Sequence, residues 1–188
     1  MNRLQHIRLM KIRYKLACTL GFSHSNYLKK HNIFQLFGEN VLFTPDKLPQ
    51  NPKLIKIHDN VKIAAGVTFI EHDVINQVFR DIDKSSNWQR HLAPIEIMDN
   101  VFIGANSMII GPCKIGPNVI IGGGSVITKD VPQGCIVAGN PARIIGDFSD
   151  FKHKRELLDG KVQQLTDEKR YELLWDDFEK GGRKQYIK

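Results

Sequence analysis

From Ile97 the chain places an isoleucine at every sixth residue. Ile97, Ile103, Ile109, Ile115, Ile121 and Ile127 open six hexads in unbroken register. The fifth place of each hexad holds valine or a small residue: Val101, Ser107, Cys113, Val119, Ser125 and Val131. The second place is glycine in three of them, Gly104, Gly116 and Gly122. An earlier block keeps the same phase, with Ile57, Ile63 and Phe69 opening hexads and Val61 and Val67 in the fifth place. Phe69 and Ile97 are 28 positions apart, which is not a multiple of six, so an insertion over residues 75–94 interrupts the pattern.

A helix face repeats every 3.6 residues and a half-buried strand every two. A period of six suits a short strand followed by a turn, and three hexads close one triangular coil of 18 residues. The large aliphatic residue points into the prism, and the small fifth residue fits a crowded corner. Glycine in the second place is expected to relieve the turn through a positive φ. Stacked coils pair as parallel strands and align the isoleucines in ladders. Burying nine such side chains at ~1.5–3 kcal/mol each supplies a core that no single coil holds alone. A sandwich of short Gly-rich strands would not keep six hexads in register. The expected architecture is mainly β, a parallel β-helix with flanking helices.

The flanks lack the period. Residues 1–53 read as a helical then extended segment, with Leu4, Ile7, Met10, Tyr14 and Ala17 on a loose apolar stripe among basic residues. Two readings stand for it: a helix lying on a membrane surface, or, the preferred one, a helix packed on the prism or on a neighbouring subunit. Pro45, Pro49 and Pro52 mark an extended connector into the first coil. Residues 54–146 form the repeat domain, with the loop 75–94 inserted, and residues 147–188 a helical extension. There Phe151 to Gly160 reads as one short helix. Thr166 is a candidate N-cap for a second. In that second helix Tyr171, Leu174, Trp175 and Phe178 make a stripe expected to dock on the prism or the oligomer.

Charge sharpens this division. The net charge is +7, but residues 1–56 carry ten Lys/Arg against two acids, whereas residues 57–147 carry seven against nine. The excess is terminal, with no stripe or nucleic-acid module. No apolar run approaches the roughly 20 residues that span a bilayer. Cys18, Cys113 and Cys135 are odd in number and widely spaced, which argues against a disulfide scaffold and for a reducing cytoplasm. No signal peptide is read at the N-terminus.

The residues themselves point to His72. It ends a coil at the point where the insertion begins, and an interrupted prism leaves a concave place. A histidine there can serve as a general base near neutral pH. The insertion adds Asn76, Arg80, Trp88, Gln89 and His91, a set able to grip a sugar by stacking and hydrogen bonds or to pack on a neighbouring subunit. Cys113 falls on a core place of its hexad and reads as a buried residue.

Over residues 54–146 the chain resembles the hexapeptide-repeat acyltransferases, and most closely the sugar and polysaccharide O-acetyltransferases among them. Three segments carry the resemblance: Val67–Asp73, similar to the family segment ending T-H-D but with Glu71 for the threonine; Ser125–Pro132; and Ala138–Arg143. The resemblance implies a left-handed β-helix, a homotrimer and direct transfer from acetyl-CoA, with His72 as catalytic base and no metal. It implies cofactor contacts from Gly104, Ala105, Gly123, Thr128, Lys129 and Arg143, with the Ala105 amide as oxyanion donor. Asp73, Asn76 and Trp88 are the substrate-binding candidates. N-acetylation of an amino sugar or nucleotide sugar is the alternative, and a non-catalytic β-helix scaffold is the alternative of another class. A carbonic anhydrase on a similar coil needs three converging histidines, and the closely spaced pair is absent.

Overall fold

The computed structural model describes residues 9–16, 24–84, 87–159 and 166–180. The chain forms two compact units, Met1–Phe148 and Ser149–Lys188.

In the first unit the backbone passes in rotation through three sheets. The first contains β1 (Leu36–Phe37), β3 (Ile55–Ile57), β6 (Ile95–Ile97) and β9 (Cys113–Ile115). The second contains β2 (Leu42–Phe43), β4 (Lys62–Ile63), β7 (Val101–Ile103), β10 (Val119–Ile121), β12 (Cys135–Gly139) and β13 (Ala142–Asp147). The third contains β5 (Thr68–Ile70), β8 (Met108–Ile110) and β11 (Val126–Ile127). Among the described residues, the strands of these three sheets all pair in parallel except the terminal hairpin β12–β13.

The register stacks the hexad openers in three ladders. Ile57 pairs with Ile97 and Ile97 with Ile115. Ile63 pairs with Ile103 and Ile103 with Ile121. Phe69 pairs with Ile109 and Ile109 with Ile127. None of the nine is more than 5% exposed, so each ladder is a dry column in the prism. The fifth-place residues Val101, Ser107, Cys113, Val119, Ser125 and Val131 are buried too.

The turns differ from the expectation. Positive φ falls on the fourth place of the hexad, at Asn60, Gly66, Asn100, Asn106, Asn118 and Gly124. Asparagine and glycine are the residues that tolerate that conformation. The second-place glycines answer a different need. A Cβ on Gly104 would lie 2.8 Å from Gly123 Cα, one on Gly116 2.7 Å from Gln133 N, and one on Gly122 2.9 Å from Ala138 Cβ. They are glycine because the next coil passes too close for a side chain.

The fourth-place asparagines at one corner form a ladder of their own. Asn40 Nδ2 donates to Asn60 Oδ1 at 2.9 Å, Asn60 to Asn100 at 2.8 Å, and Asn100 to Asn118 at 3.0 Å. On the outer face of the first sheet, Lys56, Glu96 and Lys114 stand in register. Glu96 Oε1 is 3.1 Å from His58 Nε2. That bond, aided by Lys114 and Lys56, holds the Glu96 carboxyl below the ordinary glutamate value.

The stack begins earlier than the sequence reading placed it. Phe37 pairs with Ile57 and Phe43 with Ile63, so β1 and β2 make a partial coil before the proline connector. Phe43 carries the core on, with its ring 6.4 Å from Phe69 and 5.5 Å from Phe34. Two helical segments close this end, α1 (residues 9–16) and α2 (His24–Lys30). Tyr14 is buried and its hydroxyl donates to Pro45 O at 2.7 Å. Leu28 is buried, and Ser25 Oγ accepts the Phe43 N–H. The packed reading therefore holds for the Met10–Tyr14 face of α1, while Leu4, Ile7, Ala17 and Cys18 lie outside the described residues. At the other end the β12–β13 hairpin turns at Gly139 (φ 100°), Asn140 and Pro141.

Around and in the second unit lie α4 (Phe148–Asp159) and α5 (Asp167–Glu179). Thr166 takes the N-cap position with extended backbone, but its side chain makes no cap bond. Tyr171, Leu174, Trp175 and Phe178 are exposed, and within this helix the Trp175 ring meets the Phe178 ring edge-on at 5.8 Å. No helix among those residues is long and apolar enough to cross a membrane.

The close approach at Gly104 gives a direct test. Gly104→Ala pushes a methyl group into backbone rather than into a movable side chain. A loss of about 1–3 kcal/mol is expected in urea unfolding.

Candidate active site

His72 follows β5 at the edge of the third sheet, where the chain leaves the coil. The insertion departs and returns at one point: Ala93 N donates to Glu71 O at 2.9 Å, and His72 bridges to Leu92. The coil therefore closes beneath the loop, and the insertion does not disturb the stack.

The side chain before the histidine is the unexpected element. Glu71 is 1% exposed, a carboxyl group inside the prism wall. Its Oε1 accepts the Asn51 backbone N–H at 2.5 Å and Asn51 Nδ2 at 3.0 Å. The same oxygen lies 3.3 Å from His72 Nδ1. An oxygen already accepting two N–H groups acts as an acceptor toward the ring as well. That assigns the imidazole proton to Nδ1 and leaves Nε2 as the basic nitrogen. A buried polar group is tolerated when its bonds are made, and the Asn51 clamp and His72 make them here. Asn51 carried no signal in the repeat pattern, since it belongs to the proline connector twenty residues upstream.

The insertion folds locally into α3 (Ile75–Ile82). Asp73 Oδ1 accepts the Ile75 N–H at 3.1 Å just ahead of this helix, whose N-cap position is Val74. Asn76 is its one buried residue, and Asn76 Oδ1 has no hydrogen-bond partner among the described residues. An unpaired buried acceptor is costly and stands ready for a donor. Trp88 is exposed, with its ring 5.0 Å from Phe79 and its carbonyl accepting from Arg80 Nε at 2.9 Å. His91 is exposed, and His58 is engaged by Glu96.

The remaining candidates gather in two further places. Gly104, Ala105 and Gly123 share the corner that precedes the third sheet. Gly124 N donates to Ala105 O at 2.8 Å, and a Cβ at Gly123 would meet Ala105 O at 3.2 Å. The buried Ser107 and Ser125 hydroxyls both donate to Gly122 O and hold this corner. Thr128, Lys129 and Arg143 line one groove of about 520 Å³ beside Ala142 and Ile144. Arg143 Nη1 donates to Ala142 O at 2.9 Å, which draws the side chain against its own turn.

These groups do not all meet within one chain. His72 and Thr128–Lys129 lie past the ends of β5 and β11, whereas Ala105 and Gly123 precede β8 and β11. The two edges are separated by the width of a three-residue strand, about 10 Å. Burial pushes the Cys113 thiol up to about 12 and raises the Cys135 thiol as well. No three His, Cys, Asp or Glu side chains among the described residues are grouped to hold a metal.

Comparison with known proteins places the repeat. Residues 94–129 match the family model for the bacterial transferase hexapeptide (six repeats). The match covers the later hexads of the block. The chain is 35% identical over 75 residues to the 2,3,4,5-tetrahydropyridine-2,6-dicarboxylate N-acetyltransferase of Staphylococcus aureus, covering 40% of this chain and 31% of that relative. It thus spans under a third of the length of the curated relative it matches. A galactoside acetyltransferase in complex with coenzyme A is 25% identical, with a TM-score of 0.57 and 89% of each chain covered. A maltose O-acetyltransferase from Clostridium difficile 630 shares the fold at 24% identity, with a TM-score of 0.60 and coverage of 76% of this chain and 84% of that one.

The Asn51 clamp has a measurable consequence. Asn51→Ala removes the Nδ2 donor from a buried carboxyl group. It is expected to cost about 1–3 kcal/mol of stability, read as a lowered midpoint in thermal unfolding.

Proposed function

We propose that the protein is an acetyl-CoA-dependent O-acetyltransferase acting on a hydroxyl of a sugar or polysaccharide precursor. The observation that carries this reading is His72 Nδ1 3.3 Å from the buried Glu71 carboxyl, where the insertion leaves a coil whose later hexads match the transferase hexapeptide model. The galactoside enzyme with coenzyme A supports the nature of the donor and the acceptor.

In this reading His72 Nε2 takes the proton from the acceptor hydroxyl as its oxygen attacks the thioester carbonyl carbon. Glu71 stabilises the imidazolium that forms. The Ala105 N–H donates to the oxyanion of the tetrahedral intermediate. Collapse expels the coenzyme A thiolate, which takes the proton back from His72. No covalent acyl-enzyme forms, in keeping with the raised Cys113 thiol.

The coil is taken as left-handed and the assembly as a homotrimer. His72 and Ala105 sit on opposite edges of one face, so a neighbouring copy would have to bring an Ala105 edge to each His72. Gly104 and Gly123 leave room for the pantetheine arm, and Lys129, Thr128 and Arg143 offer donors and charge to its phosphates. Asn76 Oδ1, Asp73 and Trp88 would face the acceptor. The cytoplasm is the compartment this reading implies, with Cys113 and Cys135 as free thiols.

N-acetylation is the second reading, favoured by the staphylococcal relative, an N-acetyltransferase by name. Thiol release from acetyl-CoA against parallel panels of sugars and amino sugars separates the two.

His72→Ala is expected to lower turnover by about 10²–10⁴-fold while coenzyme A still binds in calorimetry. Near-wild-type turnover would remove His72 as the base. Arg143→Ala is expected to weaken coenzyme A affinity roughly tenfold, as loss of one charged hydrogen bond does, with turnover at saturating acetyl-CoA little changed. An unaltered affinity would take Arg143 out of the site.

A further inference from the structure

The α1 segment has two apolar faces and only one of them is used. Met10 and Tyr14 face the core, and Tyr14 is locked by its bond to Pro45 O. Leu9, Ile12 and Leu16 point elsewhere and are 37%, 64% and 56% exposed. At about 100° per residue these three fall within roughly 60° of arc, nearly opposite the Met10–Tyr14 face. Arg13 borders the arc on one side, and Lys15 and Lys11 lie beyond its other side. An exposed strip of leucine and isoleucine between cations, on a helix pinned to the body by its other face, is the arrangement of a helix lying in a lipid interface.

The charge of the surrounding segment fits the same partner. Residues 1–56 carry ten Lys/Arg against two acids, and one of those acids, Glu39, is paired with Lys29. We infer that α1 is a peripheral membrane anchor. In this arrangement Leu9, Ile12 and Leu16 enter the interface of an anionic bilayer, and Arg13 at the edge of the strip meets its headgroups. A second copy of the chain is a poorer occupant, because a self-contact would set one basic segment against another. The inference stands independently of the chemistry at His72.

The test uses the full-length protein and sedimentation with vesicles. Binding is expected to vesicles of equal parts phosphatidylglycerol and phosphatidylcholine, with little to phosphatidylcholine alone, and to weaken as salt is raised. Ile12→Gln/Leu16→Gln is expected to lower partitioning about tenfold or more, and Arg13→Gln about fivefold, with thermal unfolding unchanged. Ile12→Trp gives a direct reading, since its added emission shifts to the blue when phosphatidylglycerol vesicles are present. The inference is overturned if the wild type ignores the mixed vesicles, or if Ile12→Gln/Leu16→Gln binds them as well as the wild type. It is equally overturned if the added tryptophan emission does not shift. A changed mass in light scattering for the Ile12→Gln/Leu16→Gln protein would overturn it too, by making the face a contact between subunits.

Discussion

Everything in the repeat unit depends on the distance between adjacent coils. Parallel strands hydrogen-bond at about 4.8 Å, and a closed coil must hold that spacing on three faces together, with no freedom to splay at the corners. The corners therefore carry the strictest sequence demands. Fourth-place residues reverse the chain with positive φ, and second-place glycines let one corner ride over the next. Given those corners, the isoleucine columns fall into register, and hydrophobic burial does the rest.

The same constraint explains where chemistry can be placed. A coil of this kind has no room for an inward polar group unless its bonds are made on the spot. Glu71 meets that condition by drawing Asn51, a residue of the connector outside the hexad pattern, against the prism wall. The insertion obeys it too, leaving and rejoining through the bridge between His72 and Leu92. A loop tied at its base can vary freely beyond that point. The α3 helix uses that freedom: it buries Asn76 and leaves Ile75, Val78, Phe79 and Ile82 exposed.

Much of this was legible in the chain. The nine hexad openers and the interruption follow from the six-residue period. The partial first coil was not read from the pattern. Phe37-Gly38-Glu39-Asn40-Val41-Leu42 is a hexad with its fourth and fifth places correctly filled, but the proline connector shifts its phase by two residues against Ile57. The glycine rule was misread because conformational freedom and close approach call for the same residue; Asn100 and Asn118, which tolerate only the first, tell them apart. The Asn51–Glu71 contact had no sequence signal, for it joins residues of no common period. The direction of the second face of α1 depends on which side the body covers, and residues 9–16 alone do not settle that.

The asparagine and isoleucine columns make the prism a graduated rod. Position along its axis comes only in whole coils, so functional groups attached to it are spaced in fixed steps. His72 and the Thr128–Lys129 turn are two strands apart on the third sheet. That is about 10 Å along the axis. One coil more or fewer between them would change the span by a full strand spacing, and nothing intermediate is available. A fold of this kind measures its ligand with a ruler whose divisions are set by the peptide hydrogen bond, and it can tune the ends of the ligand only by exchanging side chains at the marks.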